Sequence, residues 1–503
     1  MKHLKNLVKS KYDELIDMLD ITCKDDLEDI ALKIKLKMFS RFDDYSNKEN
    51  YYCKSISHGF ATGILCSRTD IMSKKLENVN KILVTENGVF DDIQFLDKIS
   101  GVIIMNGTPG CHAAIIARSK CVPAILIECE DEKNLIRKHL KNNGECSIDG
   151  TIGLFCMKYV NAYTVEQKFV DRLKWWVSSG ESLLKSYNLK MVSLYANADN
   201  IEEAEMARNL GAEGVGSSRI EHVFADERYI NIMKGLILAN EQDDLDYFCG
   251  KVAEIIRKNT YGILKVTVPH PFTIRLSDVL QSEFLVDDTQ SYYDDLRGCR
   301  WGIVSRKVYE CQIKGILEAV NDILNESKEN VDIRIIIPFV SNIYEINYWS
   351  SNIHDKFTFL LKEYGARVAL HIGSMIETPS SAMISSEIAE FCDVFTFGTN
   401  DLTQYTCAIS RANMNKEYAK KCSVDRIFQD IDEKSVGRLI DVSIDSGRKT
   451  NSDLIIGICG EHINYVKSLQ FFIKRNIDYF SCIPCNVLYL RILLLLLYLR
   501  EML

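Results

Sequence analysis

The chain has 503 residues, more than one ordinary domain holds, so two or three domains are expected. Hydrophobic residues make up 47% and charged residues 26%, which is the balance of a globular chain rather than a disordered one. The formal net charge is −9, which gives no electrostatic basis for nucleic-acid binding.

Cysteine usage and the two chain ends bear on the compartment and on membrane binding. The 17 cysteines are scattered and odd in number, and residues 1–14 are polar. This pattern predicts reduced thiols and a cytoplasmic protein. The apolar segment 487–503 contains Arg491 and is short for a membrane span. It therefore predicts a buried helix or a subunit interface, and no membrane partner is expected.

The N-terminal part of the chain divides into three segments. Residues 1–54 repeat apolar side chains at helical spacing and predict surface helices. Residues 55–158 contain short apolar runs bounded by Gly, Asn or Asp, with helical stretches between some of them, which is typical of a compact α/β domain. Residues 159–190 predict a helical linker.

From residue 191 onward, β-like runs recur with helical stretches between them. Strand–helix alternation predicts a parallel sheet, and eight such units fit a closed (β/α)8 barrel of the TIM type over residues 191–503. The predicted fold class is therefore α/β, with a small α/β domain followed by the barrel. The eight candidate strands are KMVSLYANAD, AEGVGSSR, LKVTVPHPFTIRL, GCRWGIV, IRIIIPFVS, RVALHIGSMIE, VFTFGTND and LIIGICGE.

Acidic side chains end two of these predicted strands, Glu377 in the first and Asp401, beside Asn400, in the second. Because the carboxyl ends of barrel strands share one face, these side chains are expected to lie close together. Mg²⁺ prefers one or two carboxylates, with substrate phosphate and water completing its coordination. The sequence thus predicts a magnesium site, and a short acidic loop that caps a helix is the alternative.

Three arginines and a cysteine follow other predicted strands, namely Arg219, Arg275, Arg297 and Cys459. Guanidinium groups suit phosphate and carboxylate oxygens, and a thiol near a cation can donate and accept a proton. Together with the acids, they predict a site for a small phosphorylated acid bound through Mg²⁺. Taken singly, each arginine is compatible with a surface ion pair and Cys459 with a buried structural thiol.

The small α/β domain contains one candidate group of its own. A Gly- and Pro-rich loop, Gly107–His112, precedes AAIIARS, which predicts a helix start. Helix N-termini stabilise anions, so His112 is positioned to accept a phosphoryl group. A helix cap or an ordinary surface histidine is the alternative.

Together these motifs resemble the phosphoenolpyruvate-utilising enzymes over residues 55–490. The resemblance is most like the C-terminal two-thirds of the pyruvate phosphate dikinase branch of that family. It implies a swivelling phosphohistidine domain over residues 55–158 and a phosphoenolpyruvate/pyruvate-binding barrel over residues 191–503. The motifs that carry it are ANADNIEEAEMARNLGAEGVGSSRIEHVFADER, TIRLSDVLQSEFL, RGCRWGI, GTNDLTQYT and GICGEH.

The resemblance also implies roles for the candidate residues that handle the phosphoryl group. His112 would be the residue that is phosphorylated. Arg219 and Arg275 would bind the phosphoryl group during transfer, with Arg297 beside them. These four residues would together make the chain a phosphotransferase.

The other candidate residues would handle the cation and the three-carbon acid. By the same resemblance, Glu377 and Asp401 would hold Mg²⁺ and Asn400 would contact the substrate carboxylate. Cys459 would protonate the enolate at its methylene carbon. The resemblance covers no ATP-binding domain, so it implies a half reaction completed by a separate ATP-binding subunit or a phosphoryl acceptor protein. A homodimer through the barrel is expected from the family.

Several positions depart from the family pattern. The loop before His112 lacks the hydroxyl that the family carries two positions before its histidine, and Asn464 and Asn486 stand where Gly and Arg are usual. The altered loop favours an alternative function, a non-catalytic phosphoenolpyruvate-binding regulator or scaffold. The intact arginines, acids and thiol favour an enzyme.

Overall fold

The computed structural model describes residues 2–19, 26–39, 50–72, 79–86, 98–107, 111–160, 167–224, 227–239, 242–278, 296–410, 418, 421–422, 424 and 426–503. Residues 108–110 of the histidine loop and residues 279–285 of the TIRLSDVLQSEFL motif lie outside these ranges. The chain forms two compact units. The first comprises Met1–Met191, Ser410–Ser423 and Leu488–Leu503, and the second comprises Val192–Ile409 and Val424–Val487.

The elements up to residue 186 belong to the first unit. They are α1 (Lys2–Leu19), α2 (Leu27–Phe39), β1 (Asn50–Tyr52), β2 (Lys54–Ser57), β3 (Phe60–Cys66), α3 (Arg68–Met72), β4 (Lys81–Thr85), β5 (Gly101–Ile104), α4 (His112–Ser119), β6 (Ala124–Leu126), α5 (Glu130–Leu140), β7 (Glu145–Asp149), β8 (Leu154–Cys156) and α6 (Gln167–Ser186).

The eight strands of the first unit form one sheet in the order β1-β8-β7-β3-β4-β5-β6-β2. The β3, β4, β5 and β6 strands run parallel to their neighbours within that group, and the remaining pairs are antiparallel. Both β5 and β6 are buried along their whole length, as expected for parallel strands that are covered on both faces. After β5 the chain passes Gly107, whose φ of 146° suits glycine, and it enters α4 at His112.

The remaining elements run from residue 193 to residue 502. They are β9 (Ser193–Asn197), α7 (Ile201–Asn209), β10 (Val215–Arg219), α8 (Ile220–Val223), α9 (Glu227–Leu238), α10 (Gln242–Thr267), β11 (Phe272–Arg275), α11 (Cys299–Val304), α12 (Arg306–Glu326), β12 (Val331–Ile337), α13 (Ile343–Tyr364), β13 (Val368–Ile376), α14 (Pro379–Met383), α15 (Ser385–Ile388), β14 (Val394–Gly398), α16 (Thr399–Cys407), α17 (Val436–Thr450), β15 (Ile455–Cys459), α18 (Val466–Ile473), β16 (Tyr479–Cys482) and α19 (Val487–Met502).

The second unit is a closed barrel, which confirms the predicted α/β fold. Its eight strands follow one another in the order β10-β11-β12-β13-β14-β15-β16-β9, and every neighbouring pair is parallel. All eight strands therefore point their carboxyl ends to the same side. We call this side the barrel mouth.

The predicted number of barrel strands is right, but one member of the set is wrong. The GCRWGIV run forms helix α11, and the eighth strand is the four-residue β16. In α11, Cys299 and Trp301 are buried, so the run is apolar because a helix packs there. A short buried run cannot be assigned to helix or strand from its hydrophobicity alone. For the same reason the LKVTV part of another candidate strand overlaps the end of α10.

The barrel interior below the mouth is filled by aromatic rings and one arginine. Tyr195 of β9 and Tyr479 of β16 stack with ring centroids 4.6 Å apart. Arg334 of β12 approaches from across the barrel, and its guanidinium carbon lies 5.7 Å from the centroid of each ring. It also pairs with both carboxylate oxygens of Asp332. The interior is a packed core, as is usual in this fold, and not a channel.

The C-terminal helix α19 packs within the first unit. Its leucines are almost completely buried, and Arg491 is paired with Glu181 of α6. A side chain added at Gly180 would lie 2.4 Å from Leu495, so α6 and α19 approach closely there. Among the helices in the described ranges, none is long and apolar enough to cross a membrane.

Candidate active site

The structure brings most of the predicted site residues to the barrel mouth. Arg219, Arg275 and Cys459 are the last residues of β10, β11 and β15. Glu377 directly follows β13, and Asn400 and Asp401 lie in the first turn of α16, just after β14. These residues meet because parallel strands deliver the residues at their carboxyl ends to one face.

Arg297 reaches the same site by a different route. It was predicted to follow a strand, but it precedes helix α11. Its guanidinium donates to both carboxylate oxygens of Asp278, at 3.0 and 2.9 Å, and to Asp401 at 2.9 Å. The Phe339 ring lies against it, with the guanidinium carbon 4.6 Å from the ring centroid. Arg297 therefore links two acidic residues of the site.

Three carboxylates of the mouth could hold a divalent cation. One ligand oxygen from each of Asp278, Glu377 and Asp401 lies within 4.8 Å of the others, and this is the metal-compatible cluster found among the described residues. Carboxylate oxygens at such spacing fit Mg²⁺, which takes few protein ligands. Asp278 was missed from the sequence, although it stands three residues after Arg275 in the quoted motif TIRLSD.

The ionised form of the Glu377 carboxyl is disfavoured at its position in the mouth. It is 1% exposed, and its carboxylate accepts a hydrogen bond from the Phe339 N–H at 2.7 Å. Burial, and then repulsion from Asp278 and Asp401, raises the pKa of Glu377 to about 8. A cation at this position would offset both effects, which supports the fit of the cluster to Mg²⁺.

The side chains of Arg219 and Arg275 are partly buried, 21% and 13% exposed respectively. Arg219 pairs with Asp199 at 2.7 Å, and Arg275 pairs with Glu221 and with Asp278. The Nε atoms of both arginines are buried and have no hydrogen-bond partner. A buried donor without a partner is costly. An anionic ligand that accepted from these donors would remove that cost.

Asp199 holds Arg219 in position. Its carboxylate accepts the backbone N–H of Arg219 at 2.7 Å as well as the guanidinium, and it contacts His222 Nδ1 at 2.8 Å. Burial opposes ionisation of Asp199, but Arg219 and His222 outweigh burial and lower its pKa. This residue also escaped the sequence analysis, because nothing in the ANAD motif marks an acid that acts through a neighbouring strand.

Cys459 and Asn400 complete the mouth. Burial raises the pKa of the Cys459 thiol, although Arg219 and Arg275 oppose this effect. Asn400 lies one residue after Thr399, whose hydroxyl is fixed by His462 Nδ1 at 2.9 Å. The Asn400 side chain accepts the Glu461 N–H at 3.4 Å. The two loops after β14 and β15 thus support each other.

His112 belongs to the first unit. It is the first residue of α4, and Cys111 occupies the N-cap position with an extended backbone and no side-chain capping bond. The His112 side chain is outside the described part of the structure. Its helix-start position is as the sequence predicted.

Comparison with known proteins gives the same assignment for most of the chain. Residues 176–497 match the family described as "PEP-utilising enzyme, PEP-binding domain", and residues 78–153 match "PEP-utilising enzyme, mobile domain". PEP is phosphoenolpyruvate. The first match spans more than half of the chain. The chain belongs to the phosphoenolpyruvate-utilising enzymes.

Curated relatives are named as pyruvate, phosphate dikinases. The Rickettsia bellii protein is 30% identical over 473 residues, which are 86% of this chain and 52% of the relative. The Giardia intestinalis protein is 30% identical over 501 residues, 91% of this chain and 55% of the relative. The chloroplastic protein of Flaveria bidentis is 29% identical, over 86% of this chain and 49% of the relative. The chain spans about half the length of the curated relatives it matches.

Proposed function

We propose that the chain is a phosphotransferase that moves a phosphoryl group between phosphoenolpyruvate/pyruvate and His112, with Mg²⁺ as the cofactor. The observation that carries the proposal is the group of arginines at the barrel mouth, among which Arg219 and Arg275 have buried Nε donors without a hydrogen-bond partner. Beside them lies a cluster of three carboxylates within reach of one cation. An anionic substrate would accept hydrogen bonds from the arginines, and a cation would neutralise the carboxylates.

In this proposal the residues of the mouth divide the work. Arg219, Arg275 and Arg297 bind the phosphoryl oxygens, and the Asn400 amide contacts the substrate carboxylate. Cys459 gives its thiol proton to the methylene carbon when pyruvate is formed. When bound at the carboxylates, Mg²⁺ supplies charge neutralisation at the enolate and phosphoryl oxygens. Catalysis of phosphoryl transfer is mostly such positioning and neutralisation.

The test is mass spectrometry of the chain after incubation with phosphoenolpyruvate and Mg²⁺. The expected result is one acid-labile phosphate on the wild-type chain. His112→Ala should carry none, whereas His139→Ala, which removes another histidine of the first unit, should be phosphorylated normally. Phosphate that persists in His112→Ala would contradict the assigned acceptor.

A second function is favoured by one observation, the altered loop before His112. In this alternative the chain binds phosphoenolpyruvate and acts as a regulator or scaffold without forming phosphohistidine. The other departures argue less for loss of function. Asn486 is buried and donates to Asn464 at 2.9 Å, so two departures from the family pattern contact each other. Binding of phosphoenolpyruvate without phosphorylation would select this alternative.

The partners remain part of the proposal. The phosphoryl group would pass between His112 and either a separate ATP-binding subunit or an acceptor protein. A pull-down with the phosphorylated chain, with His112→Ala as its control, tests this. Sedimentation of the purified chain tests the expected homodimer.

A further inference from the structure

Three consecutive strands of the barrel bring together a group of uncharged polar side chains. Asn197 ends β9, Ser481 lies in β16, and Cys459 ends β15. The β16 strand pairs with both of the others, and Ser481 stands directly opposite Cys459 in the register. Cys459 is a predicted proton donor, whereas Asn197 and Ser481 have no role predicted from the sequence.

Asn197 connects the other two side chains through one atom. Its Oδ1 accepts the Ser481 hydroxyl at 2.7 Å, and the Cys459 Sγ lies 3.7 Å from the same oxygen, within reach of an S–H donor. Ser481 is completely buried. A Cβ at Gly216 would clash with the Ser481 hydroxyl, so the serine side chain also packs closely against this glycine. Ser481 thus holds the Asn197 amide in place while the amide oxygen contacts the Cys459 thiol.

The groups around Cys459 have opposing effects on the pKa of its thiol. Arg219 and Arg275 favour the thiolate, and Glu377, Asp199 and burial favour the thiol. Tyr479, on the strand next to β15, interacts electrostatically with the same thiol. The amide oxygen of Asn197 can accept a proton but cannot donate one, so contact with it favours the S–H form.

We propose that Asn197 is a positioning residue for Cys459, which keeps the thiol protonated and holds its S–H in a fixed direction. This inference rests on the proposed function for the use of that proton. There, the S–H bond breaks as a C–H bond forms at the methylene carbon of the enolate, and pyruvate and a thiolate result. The two arginines neutralise the thiolate, solvent returns the proton, and the Asn197 oxygen favours that return.

The first experiment needs no substrate. Alkylation of Cys459 by iodoacetamide is followed against pH by mass spectrometry of its peptide, with Cys459→Ser as the blank. Asn197→Ala removes the acceptor and admits water, so the midpoint should fall by about one pH unit, the strength of one ordinary hydrogen bond. Asn197→Asp adds a negative charge beside the thiol, so the midpoint should rise by a similar amount.

Ser481→Ala provides a second, milder variant. It frees the amide without removing it, so the midpoint should move in the same direction as in Asn197→Ala but less. A midpoint that is the same in all variants, or that rises in Asn197→Ala, would overturn the proposal. A rise would mean that the amide nitrogen, not the oxygen, contacts the sulfur. If Asn197→Ala does not fold, Asn197→Asp and Ser481→Ala decide the same question.

The second experiment measures deuterium uptake into the methyl group of pyruvate in D₂O. Once the rate is corrected for the larger thiolate fraction that the alkylation midpoint gives for Asn197→Ala, the exchange should be about tenfold slower than in the wild type, because the S–H that forms has lost its acceptor. The KM for pyruvate should stay within about twofold. A rise in KM as large as the fall in kcat would indicate a merely structural role. If the wild-type chain exchanges no deuterium, the proposed function fails, while the alkylation midpoints still decide the role of Asn197.

Discussion

Two arginine environments in the same barrel differ in what surrounds the charge. At the mouth, Arg297 contacts Asp278 and Asp401, and neighbouring arginines keep donors without partners. In the interior, Arg334 lies against two tyrosine rings and pairs with Asp332. Aromatic faces attract a cation and fill space, and so can replace a ligand as its counterpart. Arg334 also has one buried donor, Nη1, without a hydrogen-bond partner, but two ring faces lie against its guanidinium. We therefore expect an anion to bind at the mouth and not in the interior.

The largest effect is expected from Arg297→Met. This change removes the guanidinium that Asp278 and Asp401 share and, under the proposed function, a donor to the phosphoryl group. The rate of His112 phosphorylation should fall about 10³-fold, as when a charge-stabilising arginine is lost from other phosphoryl-transfer sites. Arg257→Met, which breaks the exposed pair with Asp322, is the matched control and should change the rate less than twofold. Similar losses in both variants would contradict the comparison.

Arg334→Met should act on stability and not on chemistry. The residue is 6% exposed, and its removal leaves Asp332 with the more distant His371, at 3.9 Å, and the tyrosine rings without their cation. We expect a loss of about 1–3 kcal/mol in the free energy of unfolding, measured by urea denaturation. The double change Arg334→Met and Asp332→Leu should recover part of it, because the pair is replaced as a unit. A rate loss as large as that of Arg297→Met would remove the distinction between the two environments.

A third prediction concerns the pH dependence of cation binding at the mouth. Below the Glu377 pKa of about 8, a cation has to displace a proton from that carboxyl. Mn²⁺ affinity, measured by electron paramagnetic resonance, should therefore rise between pH 6 and 8, by up to about tenfold per pH unit. Glu377→Gln should bind weakly and with little pH dependence. Asp322→Asn, on the barrel exterior, should titrate like the wild type.

The same carboxyl gives a sign for stability without a cation. The folded-state pKa of Glu377 lies above its unfolded value of 4.5, so between pH 4.5 and 8 the folded state binds more protons than the unfolded state. The contribution of this group to stability therefore falls as pH rises through that window. Glu377→Gln should raise the melting temperature at pH 8 relative to the wild type and change it little at pH 4. An equal shift at both pH values would contradict the assignment.

The smallest effect is expected at an uncharged polar pair in the loops after β15 and β16. Asn486→Ala removes the donor to Asn464, and a typical loss is about 1 kcal/mol in the free energy of unfolding. Asn464→Ala and the double variant complete a double-mutant cycle, and a coupling energy near zero would show that the contact contributes nothing. Cation affinity should stay constant throughout, since no charge is changed.

The sequence predicts a site residue well when that residue ends a strand, and poorly when its role depends on a contact with another element. Arg219, Arg275 and Cys459 each end a strand, so strand polarity is enough to place them at the mouth. Asp278 lies beyond β11, and its role depends on Arg297, which comes from a helix start 19 residues later. Such a contact has no local periodicity. It follows only from the closure of the barrel.

The fold shows the same limit in its strands. The β12 and β13 strands have seven and nine residues, and their apolar runs are unmistakable. The β16 strand has four residues and is a strand because β15 and β9 pair with it on both sides. Tertiary contacts decide whether so short a segment is a strand or a helix. GCRWGIV, which is a helix, shows the same dependence.

The ion pair between Arg491 and Glu181 has a consequence for how α19 finds its orientation. Eight of the 16 residues of α19 are leucines, and they lie on every side of the helix, so packing energy alone distinguishes its orientations about its axis weakly. The ion pair of Arg491 with Glu181, next to the space that Gly180 leaves for Leu495, distinguishes one orientation from the others. The ion pair therefore selects the rotational orientation of α19, and the buried leucines supply most of its packing energy.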